Sequence, residues 1–68
     1  MPIINVKMTH EDGGATKEQK EQLAQKLTQA FVDVFGRGEK TCVVTIDEIS
    51  TDNYAIGGKT ITNIRRDS

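Results

Sequence analysis

Residues 3 to 9, Ile-Ile-Asn-Val-Lys-Met-Thr, alternate in character, with Ile4, Val6 and Met8 on one face and Ile3, Asn5 and Lys7 on the other. A period of two predicts a half-buried strand. The following His10-Glu11-Asp12-Gly13-Gly14 is polar and holds two glycines, so the chain should turn there. Beyond it the period lengthens. Leu23, Leu27, Ala30, Phe31 and Val34 recur at steps of three and four, which predicts one apolar stripe on a helix running to about Phe35. Thr16 stands three residues before Gln19, the spacing of a capping box in which hydroxyl and amide side chains satisfy each other's backbone N–H groups. Lys17, Glu18, Glu21, Gln22, Gln25, Gln29 and Asp33 form the wet face, with Lys17 and Glu21 one turn apart. Gly36 predicts a left-handed cap, and Gly38 a loose connection to the next element.

Residues 41 to 49 are β-branched and alternating, with Cys42, Val44, Ile46 and Glu48 on one side and Val43, Thr45 and Asp47 on the other. They predict a second strand. Residues 50 to 58 read as a loop, and residues 59 to 66, Lys-Thr-Ile-Thr-Asn-Ile-Arg-Arg, as a short extended arm packed on another chain. A strand, a crossover helix and a second strand predict an α/β (α+β) fold: a small βαβ unit with parallel strands and the helix on one face. Two strands leave two open edges, so the sheet should be completed by oligomerisation.

Size makes the same demand. A chain of 68 residues and 7.5 kDa is one domain, taken as residues 2 to 68, and a folded monomer of that mass buries only about 60% of its unfolded surface. Apolar residues are 35% of the chain and there is no Trp, so self-association is the expected remedy for a thin core. One cysteine, Cys42, allows no internal disulfide, and no Cys/His spacing suggests zinc. The net charge of -1 speaks against a nucleic-acid partner in spite of the Arg65-Arg66 pair, and the short apolar runs speak against a membrane span or secretory leader. A cytoplasmic location is expected.

Most candidate chemistry has a plainer reading. His10, Glu11 and Asp12 make a superficial metal or acid/base cluster, but consecutive residues seldom face one centre, and a solvated turn explains them better. Cys42 shares its strand face with Val44 and Ile46 and reads as core. Asp47 and Glu48 point to opposite faces and cannot act as a facing pair. Gly58-Lys59-Thr60 resembles the tail of a phosphate loop, yet Asn53 stands where that pattern needs glycine. Tyr54 either lines a pocket or covers a core edge.

Pro2 is the unusual residue. Removal of Met1 would leave a secondary amine at the head of a strand, and apolar surroundings disfavour its protonated form, which makes it a general base usable near neutral pH. The alternative is a proline that merely opens an edge strand, where its missing N–H costs nothing.

Pro2-Ile3-Ile4, the Thr16-Lys17-Glu18-Gln19-Lys20 helix start, Asp47-Glu48 and Asn53-Tyr54-Ala55-Ile56-Gly57-Gly58 together resemble the 4-oxalocrotonate tautomerase (2-hydroxymuconate tautomerase) family, over nearly the whole chain. The resemblance implies a βαβ subunit assembled as a homohexamer. It implies an isomerase that interconverts keto and enol forms of a small 2-oxo acid or dienol, with no metal or organic cofactor. Pro2 then falls on the catalytic base, and Tyr54 on the active-site aromatic that packs on the substrate.

The pattern departs where substrate charge is handled. The family's two substrate-binding arginines map to Ala15 and Val43, neither of which can bind an anion. A developing enolate needs donors or positive charge. Arg37, with Lys40, is the candidate to supply it from the helix-to-strand connection, unless both are solvated loop charges. A second class of function is therefore kept open: a non-catalytic, oligomeric small-molecule-binding module of the same fold.

Overall fold

The protein was analysed as a computed structural model in which residues 1–11 and 13–67 are described. Its elements are β1 (Ile3–Thr9), α1 (Lys17–Phe35), β2 (Val43–Ile49), β3 (Ala55–Ile56), β4 (Lys59–Thr60) and α2 (Ile61–Arg66). β1 and β2 pair in parallel, with Ile3 opposite Val43 and Thr9 opposite Ile49. Ile4, Val6, Met8, Val44, Ile46 and Glu48 are half-buried, whereas Ile3, Asn5, Lys7, Thr45 and Asp47 are exposed, so α1 covers the face that the alternation marks as apolar. On the open face the Asn5 side-chain amide donates to Thr45 Oγ1 (2.7 Å) and to Asp47 Oδ2 (3.1 Å), a polar ladder across the two strands.

α1 starts and stops where its local chemistry dictates. The Gln19 N–H donates to Thr16 Oγ1 (3.0 Å) and the Thr16 N–H to Gln19 Oε1 (2.9 Å), a complete capping box. Gly36 closes the helix in the left-handed conformation at φ 69°, its N–H donating to the Val32 carbonyl. The buried stripe differs from the expected one: Leu23, Leu27 and Phe31 are half-buried together with Ala24, Thr28 and Val32, while Ala30 and Val34 are exposed. The covered stripe follows the adjoining i, i+4 rows 23/27/31 and 24/28/32, so the helix is rotated about its axis relative to the expected face.

β2 begins at Val43, two residues later than the alternation suggests, because the Thr41 and Cys42 N–H groups both donate to the Gly38 carbonyl and close a turn there. The C-terminal segment is the larger correction. Residues 50 to 58 are not all loop and residues 59 to 66 are not an extended arm: β3 and β4 form an antiparallel hairpin around Gly57-Gly58, and the chain then enters α2. Thr60 caps that helix by accepting from the Asn63 N–H (3.3 Å), and Ile61 and Ile64 fall one turn apart. Backbone bonds from Ile61 N–H to the Tyr54 carbonyl and from Thr62 N–H to the Thr51 carbonyl (3.1 Å each) fold this unit onto itself. The Thr62 hydroxyl also bonds the Asp52 carboxylate.

The chain is long and thin, 49 × 24 × 14 Å, with a radius of gyration of 15.8 Å where a compact domain of this length has about 11 Å. Its accessible surface of 5186 Å² exceeds the about 4,200 Å² of a compact monomer of equal mass. Ile61 is the one buried hydrophobic residue among those described, and Ile3, Val34, Phe35 and Ile56 are all more than half exposed. No helix among the described residues is long and apolar enough to cross a membrane.

Glu48 ties the far end of this layer together. Its Oε1 lies 2.9 Å from Lys20 Nζ of α1, and its Oε2 accepts from the Ala15 N–H (3.3 Å) and lies 3.1 Å from His10 Nδ1. The Lys20 ammonium holds the Glu48 carboxyl below the ordinary glutamate range; partial burial opposes that, and the Ala15 amide and His10 reinforce it. A carboxyl depressed in the folded state adds stability above its unfolded pKa and loses it as pH falls through the lower, folded value. The denaturation midpoint of the native protein should therefore drop on acidification from about pH 5 to 3. Glu48→Gln should be less stable at neutral pH and show a shallower acid slope in urea titrations at fixed protein concentration; an unchanged slope would remove Glu48 as an anchor.

Candidate active site

Parallel pairing sets the starts of β1 and β2 side by side, and α1 runs back along them, so the connection after α1 arrives where β1 begins. Pro2 sits at this end, half-buried, its carbonyl accepting from the Val43 N–H (2.8 Å). Gly38 passes directly over it at φ 98°: a methyl group built on Gly38 would stand 3.4 Å from Pro2 Cγ and 3.0 Å from Cδ1 and Cε1 of Phe31. Pro2, Gly38 and Phe31 thus meet at one point.

Arg37 joins them through the same ring. Its guanidinium carbon lies 5.9 Å from the Phe31 centroid and 5.7 Å from that of Phe35, and the two rings are 4.5 Å apart. Cation–π attraction of this kind orients the guanidinium but consumes none of its N–H donors. Lys17, Lys20, Lys59, Arg65 and Arg66 each lie within 4.0 Å of a carboxylate, whereas among the described residues Arg37 has no acidic partner. Lys40 is exposed in the same connection.

Tyr54 lies elsewhere. It is half-buried five residues beyond the end of β2, and seven residues of strand span roughly 20 Å, so Pro2 and Tyr54 of one chain occupy opposite ends of the ribbon. Of the two positions where substrate-binding arginines were expected, Val43 is at the Pro2 end and half-buried, and Ala15 is at the far end against Glu48. Hollows of about 350 and 500 Å³ lie at that far end, both bordered by Met8, Ala15 and Gln19, and neither by Pro2, Arg37 or Tyr54.

The His10, Glu11, Asp12 run does not converge. His10 turns to Glu48, while Glu11 takes Arg65 Nη2 at 2.9 Å on both oxygens and the Thr9 hydroxyl at 2.8 Å; Asp12 lies outside the described residues. The Thr9 hydroxyl and then the Arg65 guanidinium draw the Glu11 carboxyl below its ordinary range. These charges pin the turn before α1 to the strand end and to α2. Asp47 and Glu48 do face opposite sides, one to Asn5 and the other to α1.

The contacts that alternation and spacing fail to reveal are those of Phe31 and Gly38. Phe31 is one of several apolar residues on its stripe, and Gly38, read as a loose joint, is the more closely approached of the two glycines in its loop. The signal available was a second glycine two residues after the helix cap, which states that space is needed and not what fills it.

The sequence profile of the tautomerase enzyme family matches residues 2–64. A probable tautomerase, K2, of Dickeya dadantii is 46% identical over 66 residues, covering 97% of this chain and 96% of that protein. The 2-hydroxymuconate tautomerase of Bacillus subtilis is 39% identical over 64 residues, 94% of this chain and 98% of that one. Among solved structures, DmpI of Helicobacter pylori superposes with a TM-score of 0.77 at 38% identity, covering 96% and 97% of the two chains. Agreement of this extent, in residue order and in backbone path alike, makes the chain a member of the tautomerase enzyme family.

Proposed function

We propose that this protein is a keto–enol tautomerase in which Pro2, freed by removal of Met1, is the general base for a small 2-oxo acid or its enol or dienol. The observation that carries the reading is the placement of Pro2. It leads into a strand, its carbonyl is fixed by Val43, and its ring faces Gly38, which also neighbours the Phe31 ring. Apolar neighbours disfavour a prolyl ammonium and leave the lone pair available. The reaction asks for nothing else of the amine than one proton taken and one returned: a C–H or enol O–H bond breaks, N–H forms, the electron pair moves through the enolate, and the ammonium protonates the other terminus of the same system. No metal or organic cofactor is required for that cycle.

Arg37 is proposed to supply the positive charge that the substrate carboxylate and enolate need, held in place by Phe31 and Phe35 with its N–H edges free. Tyr54 is proposed to complete the pocket from a second chain, since within one chain it is a ribbon length away from Pro2. Self-association, with a homohexamer as the proposed assembly, is supported by the exposed apolar surface and by relatives such as the heterohexameric 4-oxalocrotonate tautomerase of Chloroflexus aurantiacus, at 25% identity and a TM-score of 0.73. Ala15 and Val43 favour a second reading, an oligomeric binding module without catalysis, because neither can hold an anion.

Two variants separate these readings. With intact mass establishing that Met1 is absent, Pro2→Ala should keep the native assembly mass and lose at least about 100-fold in kcat/KM toward simple enolised 2-oxo acids. Full retained activity would overturn the proline base, and no activity in the trimmed parent would favour the binding module. Arg37→Ala should raise KM for a carboxylate substrate by about 10-fold or more; unchanged kinetics would remove Arg37 from the site.

A further inference from the structure

We propose that Gly38 and Phe31 are positioning residues that fix the ring of Pro2 and so aim its nitrogen, an inference that rests on Pro2 being the base. Two adjacent stretches of backbone are hung from the start of β2. The Thr41 and Cys42 N–H groups hold the Gly38 carbonyl at 3.2 and 2.9 Å, and the next N–H, that of Val43, holds the Pro2 carbonyl at 2.8 Å. Pro2 and Gly38 are therefore fixed relative to each other through three consecutive residues. A methyl on Gly38 would meet Pro2 Cγ at an ordinary contact distance of 3.4 Å and press on the Phe31 ring at 3.0 Å, so that ring would have to give by a few tenths of an ångström.

Cγ is the atom that moves when a pyrrolidine ring changes pucker, and pucker tilts the nitrogen lone pair. Gly38, from which a single added methyl would reach both Cγ and the Phe31 ring, bounds the space on that side and restricts that motion. The same ring carries the Arg37 guanidinium, so displacing Phe31 shifts base and cation relative to each other. Errors of about 1 Å in such an arrangement cost up to about 100-fold in rate.

Backbone strain alone could also make Gly38 intolerant of substitution, and the structure provides the control. Gly36 stands two residues earlier, also in the left-handed region at φ 69°, with nothing within 4 Å of a methyl built on it. Gly38→Ala and Gly36→Ala both bear left-handed strain, and only the first meets other side chains, touching Pro2 and pressing on Phe31.

The test uses the trimmed protein in its native assembly and measures kcat, KM and the pH dependence of kcat/KM on an enolised 2-oxo acid. Gly38→Ala should lower kcat by about 10-fold to 100-fold with KM changed far less, and should displace the acid limb of the pH profile. Gly36→Ala should lower thermal stability and leave kcat and the profile in place. Adding Phe31→Leu to Gly38→Ala should restore part of kcat by making room for the methyl. Equal kinetics for Gly38→Ala and Gly36→Ala, or a double variant no better than Gly38→Ala, would overturn the proposal. If Gly38→Ala does not assemble, Phe31→Leu alone decides: a lower kcat with a displaced acid limb supports positioning, and parental kinetics overturn it. Pro2→Ala run in parallel keeps the two ideas apart, since an active Pro2→Ala defeats the proline base itself, whereas an inactive Pro2→Ala beside a parental Gly38→Ala defeats only the positioning role.

Discussion

A parallel pair of seven-residue strands is too narrow a support for the nineteen-residue helix laid on it, and the rest of the molecule follows from that mismatch. α1 has no buried residue, its Val34 and Phe35 stand in the open, and the far face of the ribbon is held by a polar ladder instead of a second layer. The C-terminal hairpin and α2 do not repair the deficit by covering α1. They bond to each other and to the residues just after β2, and they extend the molecule along its length. At about 25 cal/mol per Å² of apolar surface, what one chain buries is a weak counterweight to conformational entropy. Other copies of the chain, as in the proposed assembly, would supply the missing layer.

The order of elements also decides which residues can share a site. In a βαβ unit the helix runs opposite to the strands, so everything at the end of α1 returns to the start of β1. Gly38 comes beside Pro2 for this reason, with Phe31 next to it and Arg37 on the Phe31 ring, although they are some thirty residues away from Pro2 in sequence. The converse holds for the other end, where His10, Ala15, Lys20 and Glu48 gather and where Tyr54 follows β2. One chain therefore carries two halves of the proposed site, Pro2 with a stacked cation at one end and Tyr54 at the other. In the proposed assembly a second copy laid antiparallel would bring the unlike halves together, so the narrow sheet that leaves room for a partner would also be what completes the pocket.

Much of this was legible in the residues because it is local. The alternation of residues 3 to 9 and the Thr16 to Gln19 spacing depend on neighbours a few positions apart, and both have the expected bounds and bonds. Residues 59 to 66 misled because Thr and Ile alternate there as in a strand, while Thr60 and Asn63 make the shorter-range bond that starts a helix. β2 begins late because two of its expected N–H groups are taken by Gly38, a partner that no alternation pattern registers. Pro2 stood out chemically before its surroundings were known, by its place in the chain. The identity of those surroundings did not, since crowding at Gly38 depends on a contact between three elements that sequence spacing does not bring together.

Charge is distributed between the two ends with a similar logic. At the Glu48 end two of the cations are committed, Lys20 to Glu48 and Arg65 to Glu11, with both carboxyls drawn below their ordinary range by the groups that bond them. Such pairs fix geometry and have little left to offer an incoming anion. At the Pro2 end Arg37 is held by two aromatic faces, which orient a guanidinium through its π surface and leave its edge unoccupied. A carboxylate approaching that edge would meet a cation already oriented and not already neutralised. The ring that orients the cation is also the ring that a methyl on Gly38 would press on, so under the proposed roles the spacing between Pro2 and Arg37 would be governed by a single side chain.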